Sequence, residues 1–423
     1  MPVPDSYVEW MSRRVAREVV ERFAEGLTAP SPVSIRINRQ RLSSDVLPEG
    51  YVERVPWCAD GCYLSHRPAF TADPLLHAGL YYVQEASSMF LDYVLRWLVE
   101  HCENTFNSAL DLCAAPGGKS TLLRSVLPPE SMLVANETLP KRANVLAENM
   151  AKWVVSSTEN SDRTVVTNVY PKDLGAFRDA FDLIIADVPC SGEGMFRKEE
   201  DAVAGWSPAA VERIAALQRS IISDVWPALR PGGILVYSTC TVNPYEDEDN
   251  VEWIASELGA DHVSIPVPAE WNVLGDCRLE SANLAAGSGI FHHLLPGYVQ
   301  GEGFFLSVLC KHGDNSGGSN VAKLCKALGK QIKTLPIDLL DTLQDGKSNT
   351  PVARVELSLE QAIRYLQRES FVLPSDTPRG IVQVTFQNQR LGLMKNLGSR
   401  ANNLYPKEWR IRSQHIEPHS LWQ

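Results

Sequence analysis

Two cysteines close apolar runs in this chain, where their sulfurs would meet a crevice and not packed hydrocarbon. They are Cys190 in DVPCSGEGMFRK (187–198) and Cys240 in YSTCT (237–241). Both runs have the short, branched character of strands buried on two faces. In a parallel sheet, ligands bind outside the carboxyl ends of such strands. One cysteine is more often an inert small hydrophobe than a nucleophile; two aimed at one crevice, with Asp187 nearby, point to thiol chemistry. Zinc explains them less well, because it takes four ligands and no C-x-x-C pair or neighbouring histidine accompanies them. No metal is expected. A cysteine hydrolase needs a partnered histidine, and His292-His293 fall in a strand-like stretch where a structural role fits better. Cys58 and Cys62 in WCADGC have no second pair and read as structural.

A second constellation is AAPGGK (114–119), which follows the apolar run SALDLC and opens the helical pattern KSTLLRSVL. Its glycines let backbone approach a ligand, and the helix N-terminus offers N–H groups. The spacing is neither GxGxxG nor GxxxxGK[ST], which implies a nucleotide-like ligand other than those two motifs hold. About twenty residues on, the next strand ends in Asn136-Glu137, where a carboxylate commonly accepts hydrogen bonds from a ribose diol.

These residues need a frame, and the chain supplies one. Four apolar runs, SALDLC, SMLVANE, FDLIIADVPC and GGILVYSTC, alternate with helical patterns such as LPKRANVLAENMAKW and SPAAVERIAALQRSIISDVWPAL. The second helix opens on Ser207-Pro208 as a cap and first-turn pair, and RPGG reads as the turn that ends it. Alternation of this kind is the pattern of a doubly wound α/β sheet. With 423 residues, at roughly one domain per 150 residues, two or three domains are expected. HGDNSGGSN breaks both periods and reads as a linker, and IVQVTFQNQRLGLMKNLG beyond it alternates like paired strands.

No apolar run approaches the ~18 residues of a membrane span. The first residues lack the basic-then-apolar layout of a signal peptide, so the expectation is a cytoplasmic protein with no membrane partner. Nine scattered cysteines, an odd number, are expected to be reduced thiols. The net charge of −11 hides a split: residues 311–423 carry 16 Lys+Arg against 10 Asp+Glu, or +6, which leaves −17 for the rest. Between Arg379 and Arg412 seven basic residues face one acid, Glu408. One face of the C-terminal part could hold a polyanion.

DLCAAPGGKST, DVPCSGEGMFRK and YSTCT, in this order and spacing, resemble the Nop/Sun family of S-adenosylmethionine-dependent RNA 5-methylcytosine methyltransferases. PVSIRIN (32–38) and YYVQEASSM (81–89) are similar to the family's N-terminal region, and GEGFFLSVLCK (301–311) to its last sheet strand. RLGLMKNLGSRANNLYPKEWRIR resembles the PUA-like RNA-binding segment of a bacterial member. The resemblance implies an auxiliary, RNA-binding α+β region over 1–75 and a Rossmann-like methyltransferase domain over 76–312. A linker over 313–320 and a PUA-like β-rich domain over 321–423 complete it.

It also implies the site. Cys113, Ala114, Ala115, Pro116, Gly117, Gly118 and Lys119 would form the cofactor loop, with Glu137 on the ribose and Arg142 as a basic neighbour. Asp187 would lie beside cofactor and base, Cys240 would be the nucleophile, and Cys190 would help release the product. Where the family has an acid after its third strand this chain reads TNVYPKD, so adenine contact falls to Asn168, with Asp173 as the alternative. Before GEGFF, Pro296-Gly297-Tyr298 replaces the family's Pro-His and basic residue. RNA contact is assigned to Lys198, Arg390, Lys395, Arg400 and Lys407. The tail's resemblance favours small-subunit ribosomal RNA, with transfer RNA the alternative; nothing requires more than a monomer.

The chemistry agrees. Carbon 5 of cytosine is a poor nucleophile until a thiolate adds to carbon 6. A free thiol, with a pKa of about 8.5, must be helped to ionise, and a bound sulfonium with Lys119 and Lys198 is expected to help. A DNA cytosine methyltransferase would place its nucleophile on the Pro-Cys motif, here Pro189-Cys190. A non-catalytic RNA-binding assembly factor is the other rival.

Overall fold

The computed structural model describes residues 3–42, 45–102, 106–155, 163–278, 289–313, 319–335, 352–413 and 417–422. Its centre is a nine-stranded sheet. In chain order the strands are β1 (Ser108–Asp111), β2 (Met132–Asn136), β3 (Thr164–Thr167), β4 (Phe181–Asp187), β5 (Leu229–Thr239), β6 (Ala260–His262), β7 (Phe291–Leu294), β8 (Phe304–Lys311) and β9 (Thr334–Leu335). Spatially they run β6-β8-β5-β4-β1-β2-β3-β9, with β7 also on β8. β1 to β5 are mutually parallel, and β8, antiparallel to β5, continues the sheet. Strand order reverses at β1/β4, the switch point where such sheets bind ligands.

Alternation along the strands explains why both faces are covered. Ala109, Leu133, Leu183, Ile185, Ile234 and Val236 pack with the helices α1 (Phe90–His101), α2 (Gly118–Val126) and α3 (Pro140–Trp153). Leu110, Val134, Ile184 and Leu235 point to the other face, against α4 (Pro171–Gly175), α5 (Pro208–Val225) and α6 (Glu248–Leu258). The α5 start is as expected: Ser207 accepts from the Ala210 N–H at 3.2 Å and Pro208 opens the helix. RPGG is not a separate turn. It lies inside β5 as an irregularity, since Phe181 pairs with Leu229 and Leu183 with Ile234, so extra residues bulge from the longer strand.

Past the expected linker, of which 314–318 lie outside the described residues, the chain first returns to the central sheet. The helix Val321–Ala327 packs Leu324 and Ala327 against the α5/α6 side, and β9 pairs antiparallel with β3. The small C-terminal sheet is built from Ala353–Glu356, Gly380–Phe386, Gln389–Asn396 and Ala401–Asn403, the middle two forming the expected hairpin. No helix among the described residues is long and apolar enough to cross a membrane.

Ahead of the central domain, two helices, Asp5–Met11 and Arg17–Gly26, precede an antiparallel sheet ordered Tyr51–Val55, Cys58–Leu64, Val33–Ile37, Tyr81–Val83. Cys58 and Cys62 are buried in it. This sheet shares a core with the C-terminal one, Ile35, Ile37 and Leu64 meeting Val355, Val382 and Met394. It is also pinned to the central domain by Arg36. That buried guanidinium donates to Gln84 Oε1 at 2.8 Å, to Thr121 Oγ1 at 2.6 Å and to the Gly118 carbonyl at 3.2 Å, and lies 4.3 Å above the Trp153 ring.

Removing Arg36 strands the Gln84 oxygen in the interior, where an unsatisfied acceptor costs about 1–3 kcal/mol. Arg36→Met is therefore expected to lower stability by that amount; a urea midpoint equal to that of the unmodified protein would refute the pinning role.

Candidate active site

The glycine loop is shaped from behind. β1 and β2 lie side by side, and the Ala114 N–H continues their pairing by donating to the Asn136 carbonyl at 2.8 Å. From α3, Arg142 donates to the Ala115 carbonyl and Asn149 to the Pro116 carbonyl, each at 2.8 Å. Gly117 has φ +117°, a conformation side chains resist, and caps α2. With the loop carbonyls drawn back, the first-turn N–H groups of α2, which have no intrahelical partner, border the crevice. Cys113 is half-buried at the loop's start, and burial raises its thiol, so it reads as inert.

Glu137 stands at the tip of β2, its Oε1 accepting from the Leu139 N–H at 2.9 Å and its Oε2 lying 3.4 Å from Arg142. Arg142 thus touches both the acid and the loop. Asn168 braces this corner: its amide donates to the Glu137 and Thr138 carbonyls at 2.7 and 2.9 Å, and its Oδ1 accepts from Lys333 at 3.2 Å. Asp173 accepts from the Tyr170 N–H at 3.1 Å as part of the α4 cap.

The two cysteines meet. β4 and β5 are parallel neighbours with Asp187 opposite Ser238, and three residues beyond one tip, one beyond the other, Cys190 Sγ and Cys240 Sγ lie 2.9 Å apart. Both are half-buried. The Cys190 thiol is pushed well above its usual range, first by its bond to the Cys240 sulfur and then by burial, so Cys190 keeps its proton and points it at Cys240. Beside them Asp187 accepts from the Ser238 hydroxyl at 2.9 Å and pairs with Lys119 at 2.9 Å. Lys119 also sits 4.9 Å over the Phe304 ring.

The lysines expected to help Cys240 ionise are thus occupied: Lys119 faces Asp187, and Lys198 lies 3.3 Å from Glu302. The donor that faces the sulfur is the neighbouring thiol.

Two buried carboxylates, unremarked in the sequence, tie the cysteine loops together. Glu193, three residues after Cys190, accepts from the Val242 N–H and from Asn243 Nδ2, each at 3.0 Å, and from Trp206 Nε1 at 2.9 Å. Glu246 accepts from the Ser191 N–H at 3.0 Å, Asn243 Nδ2 at 2.9 Å and Gln218 Nε2 at 2.7 Å. The backbones are equally close. A Cβ on Gly194 would stand 2.8 Å from the Cys240 carbonyl oxygen and 3.0 Å from those of Glu302 and Gly303, so this position needs glycine for space. The available signal was the acid run PYEDED straight after Cys240, whose Glu246, Asp247 and Glu248 are all fully buried.

His292 and His293 are buried in β7; the first bonds the Leu306 and Ile265 carbonyls, the second Glu248 at 3.0 Å. Neither reaches a cysteine in any bond among the described residues. Of the residues assigned to RNA, Lys395, Arg400 and Lys407 are exposed on the C-terminal sheet and its following loop, whereas Arg390 is partly buried.

Comparison with known proteins agrees with this layout. Residues 97–310 match the model of the 16S rRNA methyltransferase RsmB/F family, residues 3–86 the N-terminal domain of 16S rRNA methyltransferase RsmF, and residues 352–411 the methyltransferase RsmF PUA domain. The chain is 33% identical to ribosomal RNA small subunit methyltransferase F of Pectobacterium carotovorum over 69% of its own length and 59% of that relative's, less than two thirds. It is 30% identical to the protein of that name from Photobacterium profundum, over 92% of this chain and 79% of the relative. The crystal structure of NSun6 from Pyrococcus horikoshii with SFG shares the fold, with TM-score 0.56 and 17% identity over 74% of this chain and 99% of that one.

The buried acids set a pH dependence. Burial raises the Asp111 carboxyl to about 7, and burial with the nearby Glu246 charge raises Glu193 to about 7. Between their ordinary values near 4 and about 7 the folded protein binds more protons than the unfolded chain, so stability falls as pH rises, by up to about 1.4 kcal/mol per pH unit for each group. Denaturant midpoints are expected to drop from pH 5 to pH 7.5, and less steeply in Asp111→Asn; identical slopes in the two proteins would contradict this.

Proposed function

Because the chain belongs to the 16S rRNA methyltransferase RsmB/F family, we propose that it methylates carbon 5 of cytosine in RNA, most readily small-subunit ribosomal RNA, using S-adenosylmethionine. The observation that carries this reading is the contact of Cys190 and Cys240 beside the Lys119–Asp187 pair.

The residues at the switch point suit the cofactor. The glycine loop and the start of α2 would hold its methionine part, and Glu137, with lone pairs left beyond its bond to Leu139, the ribose diol. Asn168 or Asp173 would border the adenine. Bound there, the cofactor supplies an electrophilic methyl group.

Everything else falls to the chain's own groups. The Cys240 thiolate, favoured by the proton that Cys190 directs at it, adds to carbon 6 of the pyrimidine, and carbon 5 becomes nucleophilic. Asp187, fixed by Lys119 and Ser238, is the carboxylate placed to hold the base's polar edge and manage a proton on it. Once carbon 5 carries the methyl group, its proton leaves, the ring double bond re-forms and the C–S bond to Cys240 breaks. Cys190, in contact with that sulfur, assists this elimination. The base must leave its stack to reach the cleft, so single-stranded or loop RNA suits it best, with the exposed Lys395, Arg400 and Lys407 as phosphate partners.

Cys240→Ala is expected to abolish methyl transfer and form no covalent RNA adduct, while Cys190→Ala accumulates one, read as a retarded band on a denaturing gel. An adduct formed through Cys190 alone would transfer the reading to the Pro-Cys mechanism of DNA cytosine methyltransferases.

A further inference from the structure

A cavity of about 440 Å³ lies where the N-terminal region meets the loop before β8. This is within the range of pockets that take small ligands. Its walls are mostly apolar, Pro30, Pro32 and Val33 from one segment, Val52 and Leu64 from the N-terminal sheet, and Val299 opposite. Val52 is 52% exposed, unusual for a large apolar side chain unless something covers it.

The charged wall is Arg197, seven residues after Cys190. Its side chain is 9% exposed, donates to the Gly26 carbonyl at 2.7 Å and pairs with Glu302 at 3.1 Å, while its Nε has no partner. Lys198 reaches the same carboxylate, which also accepts from Ser31. Two cations and one anion leave a positive end on an apolar cavity. That end adjoins the nucleophile: the Glu302 and Gly303 carbonyls crowd Gly194 on the side where the Cys240 carbonyl does.

An apolar slot with a positive end fits a flat ring that carries a phosphate. We propose that this cavity receives the base of a nucleotide adjoining the target cytosine, with its phosphate against Arg197 and Lys198. The inference rests on the RNA-methylating reading and adds a second subsite to it. A cytosine drawn from its stack leaves neighbours unstacked, and RNA is commonly read by housing such splayed bases in pockets. Lys198 then acts within this subsite, and Glu302 holds both cations toward it.

The test fills the cavity from its exposed wall with Val52→Trp, and independently with Ala29→Phe in case the first disturbs folding. With unmethylated small-subunit ribosomal RNA, KM is expected to rise about tenfold, with kcat within about twofold and S-adenosylmethionine affinity by calorimetry unchanged. With a short substrate RNA, an abasic sugar at one neighbouring position should raise KM about tenfold for the unmodified protein and leave that of Val52→Trp unaltered. An unchanged KM in both folded variants, or an equal abasic penalty in all proteins, overturns the subsite alone. Absence of methyl transfer to any RNA by the unmodified protein overturns the parent reading, and this one with it.

Discussion

The contact between two sulfurs depends on carboxylates that never meet water. β4 and β5 bring their tips to neighbouring positions, but a loop leaving a strand tip is free to drift, and a drift of an ångström would part the thiols. Glu193 reaches from the Cys190 loop to the main chain after Cys240, and Glu246 reaches back to the main chain after Cys190. Asn243 donates to both acids, so the two bridges form one network. Burying a carboxylate is costly unless hydrogen bonds replace its hydration, and here N–H donors from both loops do so. The arrangement is rigid because any movement of one loop removes donors from a charge that cannot find water.

The N-terminal helices complete this by keeping water out. Tyr7, Met11, Val19 and Phe23 form one apolar cluster with Phe196 and Val242, the latter two residues after Cys240. Tyr7 and Trp10 both pack edge-on against Trp206, whose indole N–H serves Glu193. A region expected to be auxiliary is therefore part of the scaffold that holds the nucleophile, and the same region supplies Arg36 beneath the glycine loop.

Local signals in the sequence were those that one strand or one turn could carry. The apolar runs of β1, β2, β4 and β5, the Ser207 cap, the glycine loop and the 380–396 hairpin are all specified by neighbours a few residues away, and they appear where expected. RPGG misled because a turn signal and a bulge inside a strand use the same residues. Glu193, Glu246, Arg36 and Glu302 were illegible for a different reason. A charged residue reads as surface, and only a partner far along the chain, such as Val242 for Glu193 or Thr121 for Arg36, makes its burial tolerable. The PYEDED run shows the limit well: its charges suggest a solvated loop, yet its carboxylates at 246 to 248 lie inside, bonded to Ser191, Thr239 and His293.

Charge is distributed around the crevice so that no lysine is left to pair with the nucleophilic sulfur. Had Lys119 faced Cys240 alone, the thiolate would be stabilised but also held as an ion pair, and a less basic sulfur is a weaker nucleophile. With Lys119 against Asp187 and Lys198 against Glu302, the Cys240 sulfur has as its close partner a neighbouring thiol, whose S–H is a weak donor. Such a partner steadies the anion while giving it up readily to carbon 6. It also explains why two cysteines, and not a cysteine with a cation, stand at the strand tips: the second must favour ionisation before addition and still be a thiol, close at hand, when the bond to the base has to break.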